Sequence, residues 1–426
     1  MKIRRKVVDS LKNIYAELFL NGMFSSELSQ DEIEQQIKNN DKTDQIIDSP
    51  DEPPEEQETY EEEDLSNIPN TTIKPIAFYL PQYYPFKENS DFWGKGFTEW
   101  HNVSRALPLF PGHYQPRLAG ELGYYDLRLK EVMKRQIELA GQHGIYGFCF
   151  HHYYLDNNPI MRKPIDLFLK NKDLDFKFCL HWANESWTVR WDGEKQKGGV
   201  LLNQTHDDDE NMGFIKDALP AFRDERYIRV EGKPVLLIYR PALFSDFNRT
   251  ADIWRNFCKD QGLNGLYLVM VQTFFDKTKD PKKYGCDAAV EFPPHQGFII
   301  PKKLNVPYYT DELEINVFDY KKLAAFSMRM KQPSYTLFRG IMPDWDNTAR
   351  TKIPKIYHGS SPAVYQEWLT KLMAYTKDNL PADRQFVFIN AWNEWAEGAY
   401  LEPDRKYGYA YLNSTARALI KTAEIS

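Results

Sequence analysis

The chain has 426 residues, of which 42% are hydrophobic and 27% charged, a balance typical of a globular protein with one large domain or two ordinary ones. Its formal net charge of -7 comes from one segment, because residues 31–64 hold roughly fifteen carboxylates against two lysines, and the remainder is mildly basic. The sequence contains no Lys/Arg stripe and no nucleic-acid-binding motif, so a nucleic-acid partner is not expected.

Residues 1–29 are predicted to form an amphipathic helical segment, since Val7, Leu11, Ile14 and Leu18 fall at helical spacing. The segment begins with basic residues but lacks an uninterrupted apolar region, so it is a poor signal peptide. The chain contains no run of about eighteen apolar residues, so no transmembrane segment is expected. We therefore expect a cytoplasmic protein. The sequence leaves open whether this helix docks on the folded domain, on a partner or, as a peripheral contact, on a membrane.

Residues 30–70 are predicted to be a disordered acidic linker, because they combine many carboxylates and prolines with few apolar side chains. The folded domain is therefore expected to span residues 71–426. Its cysteines, Cys149, Cys179, Cys258 and Cys286, lie far apart and form no CxxC pair. Free thiols in a reducing compartment are the expected state.

Eight short apolar runs alternate with helix-like stretches in this domain, and each run has the composition of a strand buried on both faces. Strands are predicted at 76–80, 147–154, 177–184, 234–240, 266–272, 288–294, 336–345 and 386–392. Helices are predicted at 127–144, 208–223, 249–261 and 361–377. This order predicts an α/β fold, the (β/α)8 TIM barrel. A doubly wound sheet is the competing arrangement, but the first strand runs into PQYYPF, without the Gly-rich turn of its dinucleotide-binding form.

Polar and aromatic residues follow the predicted strands at their C-terminal ends, where the active site of such a barrel forms. Aromatic residues make up 15% of the chain, and their faces stack on sugar rings, although an aromatic-rich core would account for the same value. We predict substrate-binding side chains among the strand-end residues, with loop packing as the alternative. In chain order these residues are Gln82, Tyr83, His151, His152, Tyr153, His181, Trp182, Asn184, Glu185, Tyr239, Arg240, Gln272, Glu291, Asp344, Trp345, Trp392 and Asn393.

The segment NAWNEWAEGAYLEPD after the last strand holds two carboxylates three residues apart, Glu394 and Glu397. Cleavage of a glycosidic bond needs an acid and a second carboxylate, so this pair is the predicted catalytic pair. In a straight strand, residues three apart face opposite ways, so the two converge only if the chain turns after Glu394, and Gly398 suits such a turn. Trp395 would lower the local polarity and raise the pKa of a neighbouring carboxyl. A surface loop with two solvated glutamates is the alternative.

Three further motifs give weaker signals. Glu99 and Trp100 in FTEW are expected on a loop over the end of the first strand, with a binding role. The strand-end histidines lack the spacing of a metal site, so no metal and no other cofactor is expected. Asp207, Asp208 and Asp209 match the DxD pattern of metal-dependent nucleotide-sugar transferases, but acidic residues before an apolar-periodic stretch are more simply a helix start.

Several motifs resemble those of known families. NEWAEG, followed by a further acidic residue, Glu402, resembles the NEWHEG motif of the glycoside hydrolase family 99 endo-α-mannosidases and mannanases. IAFYLPQYYPF, WGKGFTEWHNV, GFCFHHYY and HWANESW resemble the WbsX-type family, a bacterial relative of family 99 whose members are often labelled glycosyltransferases in surface-polysaccharide loci. The resemblance covers residues 74–412 and implies a (β/α)8 barrel without a required metal.

The resemblance to family 99 also implies a retaining mechanism. In that mechanism one carboxylate deprotonates the sugar 2-hydroxyl, which attacks the anomeric carbon to give a 1,2-anhydro sugar, and a second carboxyl acts as general acid and then as base. Carried onto this chain, Glu394 is the base and Glu397 the acid/base. The chain departs from the motif at Ala396, where the family has histidine, so the two carboxylates carry over but the substrate details do not.

Three functions follow from these observations. The first is a carbohydrate-active enzyme that cuts or rearranges α-linked glycans, mannose-containing ones included, in bacterial surface-polysaccharide metabolism. The second is a glycosyltransferase of O-antigen or capsule assembly, although the sequence shows neither a second Rossmann domain nor a convincing nucleotide site. The third, suggested by Ala396, is a glycan-binding barrel without activity. The expected partner is a glycan or a lipid-linked oligosaccharide substrate.

Overall fold

The computed structural model describes residues 60–65, 67–188, 199–274, 279–295, 300–310 and 313–424. The predicted N-terminal helix, and the predicted linker before residue 60, lie outside the described residues.

Eight parallel strands form the central sheet, one at each predicted position, because each carries a run of apolar residues long enough to be buried on both faces. They are β1 (Lys74–Tyr79), β2 (Gly147–Leu155), β3 (Lys177–Trp182), β4 (Lys233–Ile238), β5 (Tyr267–Gln272), β6 (Ala288–Glu291), β7 (Leu337–Ile341) and β8 (Phe386–Ile389). Each strand pairs with the next, and β1 pairs with both β2 and β8, so the sheet closes. The predicted barrel is confirmed, and the open doubly wound sheet is excluded.

Nine helices of the described chain lie between or after these strands. They are α1 (Lys87–Trp93), α2 (Glu99–Arg105), α3 (Lys130–Gln142), α4 (Lys163–Lys170), α5 (Asp208–Phe222), α6 (Phe247–Asp260), α7 (Tyr320–Met328), α8 (Pro362–Asn379) and α9 (Ala410–Glu424). The helix α6 is typical, since it buries Phe247, Ala251, Trp254 and Cys258 along one face. The prediction of a helix start at Asp207 is also confirmed, because its carboxylate accepts the first-turn N–H of Glu210.

Short strands decorate the barrel. One hairpin extends β2, and one short strand pairs with β4. Another antiparallel pair of short strands lies in the segment after β8. These short strands are Asn158–Ile160, Trp187–Thr188 with Val200–Leu202, Arg229–Val230, Asn316–Asp319 with Lys355–His358, and Asn393–Glu394 with Ala399–Tyr400.

Alternation along β2 decides which side chains reach the barrel interior. Phe150 faces outwards and packs on Phe168 of α4, with ring centroids 5.6 Å apart. His151 faces inwards, where it stacks on Phe78 of β1 at 5.7 Å. Because side chains alternate between the two faces of a strand, the next residue, His152, again faces the helices. The interior at the C-terminal ends of the strands is therefore aromatic, with a few polar groups.

The first described residues contact the barrel's last helix. Glu61 forms a two-point ion pair with Arg417 of α9, with both N–O distances 3.0 Å, and also accepts a hydrogen bond from Asn413 at 2.8 Å. Here the structure differs from the predicted solvated linker, because an opposite charge on α9 binds this part of the acidic segment. The four cysteines are free, as predicted, and the structure buries all of them. None of the helices in the described ranges is both long and apolar enough to cross a membrane.

Candidate active site

The segment after β8 returns to β1 and then turns. The backbone N–H of Trp392 donates to the Phe78 carbonyl at 2.7 Å, and the Asn393 side chain bonds both the N–H of Leu80, at 2.7 Å, and its carbonyl, at 3.0 Å. A 3-10 turn over Trp395–Glu397 follows, ending at Gly398 with φ of 66°. The predicted turn is confirmed, and glycine suits it because a Cβ here would also lie 3.0 Å from the Asp346 nitrogen.

The turn brings Glu394 and Glu397 to one guanidinium. Arg350 Nη1 lies 2.6 Å from Glu397 Oε1 and 4.0 Å from Glu394 Oε2. Since both distances start from the same nitrogen, the two carboxylate oxygens are separated by at most the sum of 2.6 Å and 4.0 Å. The two side chains therefore converge, and the alternative of two solvated glutamates on a surface loop does not describe this geometry.

A third carboxylate completes the cluster. Glu99 Oε1 lies 3.7 Å from Arg350 Nε, and the Glu99 side chain is almost fully buried. Glu99 opens the helix α2, which begins after Thr98 with a capping box to His101. The expectation of a loop at FTEW is thus corrected to a helix start, and this geometry directs the Glu99 carboxylate at the site.

One guanidinium lies near three buried carboxyl groups, so ionisation of all three would leave uncompensated negative charge and would cost free energy. Burial, with the charge of Glu397, raises the pKa of Glu394 well above its ordinary value, although Arg350 opposes the shift. Burial also raises the pKa of Glu397, although the charge of Arg350 and its hydrogen bond oppose the shift. Burial acts to lower the pKa of Arg350, yet its carboxylates raise it above its ordinary value. Both carboxyl groups therefore bind a proton more tightly than a solvated glutamate does, and the shift is larger for Glu394.

Two histidines lie beside Glu394 in the barrel. His151 Nε2 is 3.7 Å from Glu394 Oε1, and its Nδ1 is 2.8 Å from Nδ1 of His181, so one of these two nitrogens donates to the other. Burial lowers the pKa of His151 to about 3 and that of His181 well below its ordinary value, so both rings are neutral. Burial, with a smaller effect from the charge of Glu394, raises the pKa of Tyr153 above its ordinary value. Tyr239 packs on His181 with ring centroids 5.7 Å apart.

A cleft of about 550 Å³ opens next to the cluster, within the size range of ligand pockets. It lies between α1, α2 and the segment after β7. Its walls include Trp93, Phe97, Glu99, Arg105, Arg350 and Lys352. Glu99 and Arg350 line the cleft, whereas Glu394 and Glu397 do not, so the cleft borders the cluster on the side of Glu99.

Several predicted residues pack behind the catalytic turn instead of facing the cleft. The Tyr83 hydroxyl donates to the Asn393 carbonyl and accepts the N–H of Trp395 at 3.2 Å. The Trp100 indole donates to the Tyr125 carbonyl at 2.9 Å. Trp395 stacks on Tyr400 with ring centroids 3.8 Å apart, and its effect on the carboxyl pKa values stays a prediction. These residues hold the turn in place.

Four predicted residues face the helix layer, as alternation along their strands requires. His152 Nε2 lies 3.0 Å from Asp217, and Trp182 stacks on Phe214 at 3.8 Å. Trp392 packs on Phe148 at 5.1 Å. Glu291 accepts a hydrogen bond from Arg339 at 2.9 Å in a fully buried ion pair. The structure does not bring these four side chains to the carboxylate cluster.

Three other predicted residues stabilise loops. Asn184 bonds the backbone of Arg240, accepting its N–H at 2.8 Å, and Glu185 accepts a hydrogen bond from the same arginine's side chain. Asp344 accepts hydrogen bonds from Arg117 and Ser360, both at 2.7 Å. Their binding roles stay predictions.

The sequence interpretation missed Arg350. It follows a 3-10 turn, Asn347–Ala349, in the DWDNTAR segment after β7. One signal in the sequence could have indicated it. Three carboxylates predicted at one end of a barrel require a nearby cation, and the loops that follow the strands at that end could supply this cation. Within the described ranges, no group of three or more His, Cys, Asp or Glu side chains is arranged to hold a metal ion.

Comparison with known proteins identifies the family. The model of the family described as Glycosyltransferase WbsX matches residues 75–415, most of the chain. The chain belongs to the WbsX family. The uncharacterized protein WxcX, from two strains of Xanthomonas campestris pv. campestris, is 42% identical over 352 residues, which are 82% of this chain and 50% of WxcX. This WbsX-family chain thus spans about half the length of the curated relatives it matches.

Solved structures share the barrel of this WbsX-family chain. The GH99 endo-α-mannosidase from Bacteroides thetaiotaomicron has a TM-score of 0.51 at 15% identity, over 82% of this chain and 97% of that one. A glycoside hydrolase-like protein has a TM-score of 0.51 at 14% identity, over 86% and 99% of the two chains. At these identities the likeness shows the fold alone, which is that of a glycoside hydrolase-like barrel.

Proposed function

We propose that this chain is a carbohydrate-active enzyme of the glycoside hydrolase type that acts on α-linked glycans, with Glu394 and Glu397 as its catalytic pair. The observation that supports this proposal is the convergence of both carboxyl groups on Arg350 at the C-terminal end of β8, the end at which barrel enzymes place their chemistry. A glycan or lipid-linked oligosaccharide of bacterial surface polysaccharides is the proposed substrate, with membership of the WbsX family in support.

The separation of the carboxyl groups favours retention of configuration. Inverting enzymes hold their two carboxyl groups roughly 6.5–9.5 Å apart to leave room for a water, whereas retaining enzymes hold them roughly 5–5.5 Å apart. The upper limit set by the 2.6 Å and 4.0 Å contacts to Arg350 lies at the bottom of the inverting range. The separation therefore argues against an inverting mechanism, while the retaining value of roughly 5–5.5 Å describes enzymes in which a carboxylate itself attacks the anomeric carbon.

The proposed reaction has two steps. Glu394, as carboxylate, takes the proton of the sugar 2-hydroxyl; that oxygen attacks the anomeric carbon, and the glycosidic bond breaks as Glu397 protonates the leaving oxygen. In the second step Glu397, now a carboxylate, takes a proton from water, which attacks the anomeric carbon and opens the 1,2-anhydro ring, while Glu394 returns its proton to the 2-oxygen. Two inversions give net retention.

We propose that, before the sugar binds, the pair shares one proton held mainly by Glu394, whereas the first step needs it on Glu397. The hydrogen bond of 2.6 Å between Arg350 and Glu397 is the cause of this placement. We propose that the bound sugar takes over hydrogen bonds of Arg350, which raises the affinity of Glu397 for the shared proton.

A glycosyltransferase is the second candidate function, and the description of the family favours it. The same two steps would serve transfer if a sugar hydroxyl replaced water as the acceptor. Calorimetric titration with a panel of nucleotide sugars tests for a nucleotide-dependent reaction, and absence of binding to all of them would contradict it. A non-catalytic barrel would be favoured by carboxylates that point apart, whereas Glu394 and Glu397 share Arg350.

Turnover of α-linked oligosaccharides and aryl α-glycosides tests the main proposal. Wild type and the matched control Glu121→Gln, an exposed carboxylate outside the site, should release reducing ends that retain the anomeric configuration by NMR. Glu397→Gln should lose turnover while its circular dichroism and unfolding midpoint stay near wild type. Undiminished turnover by Glu397→Gln, or products of inverted configuration, would refute the proposal.

A further inference from the structure

Behind the catalytic turn lies a buried carboxyl group that the proposed mechanism does not use. Glu402 is only 2% exposed, and three donors from three parts of the chain bond it. The Trp395 indole donates to Oε2 at 2.6 Å, the Tyr125 hydroxyl to Oε2 at 2.9 Å, and the Gln136 amide to Oε1 at 2.6 Å. Every one of these partners is uncharged.

These donors connect the turn to the rest of the barrel. Trp395 stands between Glu394 and Glu397 in the chain, so its ring and the catalytic pair move together. Tyr125 accepts a hydrogen bond from the Asn393 amide at 3.2 Å. Gln136, on α3, accepts a hydrogen bond from Tyr79 of β1 at 2.7 Å. One hydrogen-bonded network therefore joins β1, α3 and the turn, with Glu402 at its centre.

The network requires an ionised carboxylate. A carboxylate accepts only, and all three neighbours donate to it, so an added proton would require one of them to turn round or move away. The titratable groups that face Glu402 are the phenols of Tyr79, Tyr83 and Tyr125, and burial raises the pKa of each well above its ordinary value, so they stay neutral. Burial raises the pKa of Glu402 to about 7, against the opposing effect of its donors. Its charge therefore changes near neutral pH.

We propose that Glu402 is a positioning residue whose carboxylate holds the Trp395 indole and, through it, the turn that carries Glu394 and Glu397, and whose protonation releases that turn. The catalytic consequence rests on the proposed function, whereas the contact between Glu402 and Trp395 does not. Activity should accordingly fall as the pH drops through the neutral range.

A pair of variants separates the charge of Glu402 from its shape. In Glu402→Gln the new amide N–H₂ must face donors, either Gln136 or Trp395. In the double variant Glu402→Gln/Gln136→Glu each hydrogen bond can be kept, because the Gln side chain accepts from Trp395 and Tyr125 and donates to the new carboxylate, which still accepts from Tyr79. The double variant therefore keeps the hydrogen bond to the Trp395 indole, while the negative charge moves from residue 402 to residue 136 on α3.

Steady-state kinetics from pH 5 to 9 provide the first test. The kcat of wild type should fall below neutral pH. The kcat of Glu402→Gln should be about tenfold lower at every pH with KM little changed, since the loss of one buried hydrogen bond of about 1.4 kcal/mol is a tenfold effect. The double variant should regain kcat, and its kcat should not fall as the pH drops through the neutral range. Equal kcat for the single variant and wild type, or no recovery in a folded double variant, would overturn the proposal.

Fluorescence of the Trp395 indole provides a test that needs no substrate. The difference in emission between wild type and Trp395→Phe should titrate near neutral pH. That transition should vanish in Glu402→Gln and persist in the control Glu121→Gln. A transition that survives in Glu402→Gln, or none in wild type, contradicts the positioning role. Failure to find turnover by wild type would count against the proposed function only, because this titration would still decide the role of Glu402.

Discussion

Replacement of Arg350 by methionine should destabilise the protein in a strongly pH-dependent way. The side chain is 15% exposed and lies 2.6 Å from Glu397, 4.0 Å from Glu394 and 3.7 Å from Glu99. Methionine preserves much of the apolar stem but leaves three buried carboxyl groups without this cation. Removal of one partner from a buried ion pair costs about 3–5 kcal/mol, and we expect a loss of this size at pH 8.

The loss should shrink at pH 5. Burial already raises the pKa of Glu394 and Glu397, and loss of Arg350 raises both further. The folded variant then binds protons that the unfolded chain, with carboxyl pKa values of about 4.3, has released. Each extra proton bound by the folded state lowers stability by ~1.4 kcal/mol per unit of rising pH, so stability present at low pH is lost as the pH rises through the folded-state pKa values. Over this interval the loss should change by about 2–4 kcal/mol.

Urea unfolding at pH 5 and pH 8 measures both quantities. Arg255→Met is the matched control, because Arg255 pairs with Asp287 at 2.9 Å in a partly exposed site, where the expected loss is small and nearly equal at both pH values. The double variant Arg350→Met/Glu397→Gln should recover part of the loss at pH 8. An equal loss at both pH values, with no recovery in the double variant, would mean that Arg350 acts through packing, and the charge argument would be refuted.

Three further results are expected. Gly398→Ala should cost about 1–3 kcal/mol by urea unfolding and reduce turnover, because φ is 66° and the new Cβ would lie 3.0 Å from the Asp346 nitrogen; wild-type stability would contradict the strain. Arg339→Met should lower stability by about 3–5 kcal/mol, since it leaves the buried Glu291 carboxylate without its cation. The ligand affinity of the folded fraction, measured by calorimetry, should not change. Asp207→Ala should cost only about 1 kcal/mol, the value of a helix cap, and weakened binding of Mn²⁺ by this variant would instead support a DxD site.

Much of the fold was predictable because its signals are local. Each barrel strand appears in the sequence as its own apolar run, and all eight were predicted at the observed positions. The errors were at strand ends: the run predicted at 336–345 ends as a strand at Ile341, because the following residues are buried by loop contacts and not by the sheet. Helices α1, α2, α4, α7 and α9 were not predicted, and the structure describes nothing of the N-terminal segment on which one helix was expected.

In the candidate site, too, the features that depend on local sequence were predictable and those that depend on tertiary structure were not. The sequence by itself determined the turn that carries the proposed catalytic pair, since Glu394, Glu397 and Gly398 lie within five positions and their conformation depends on local backbone preferences. Only the tertiary structure decided that His151 faces Glu394 while its neighbour His152 faces Asp217, because closure and register of the barrel decide which face of a strand is the interior.

Arg350 and Glu402 illustrate the limit most clearly. Neither is marked by a local pattern: one follows β7 and binds carboxylates from α2 and from the turn after β8, and the other collects donors from three separate segments. A buried charge is tolerated only where it has partners, and the partners of these two residues come from distant parts of the chain. Those partners are set by how the eight strands close, which is why the sequence could indicate the proposed catalytic pair but neither Arg350 nor the donors to Glu402.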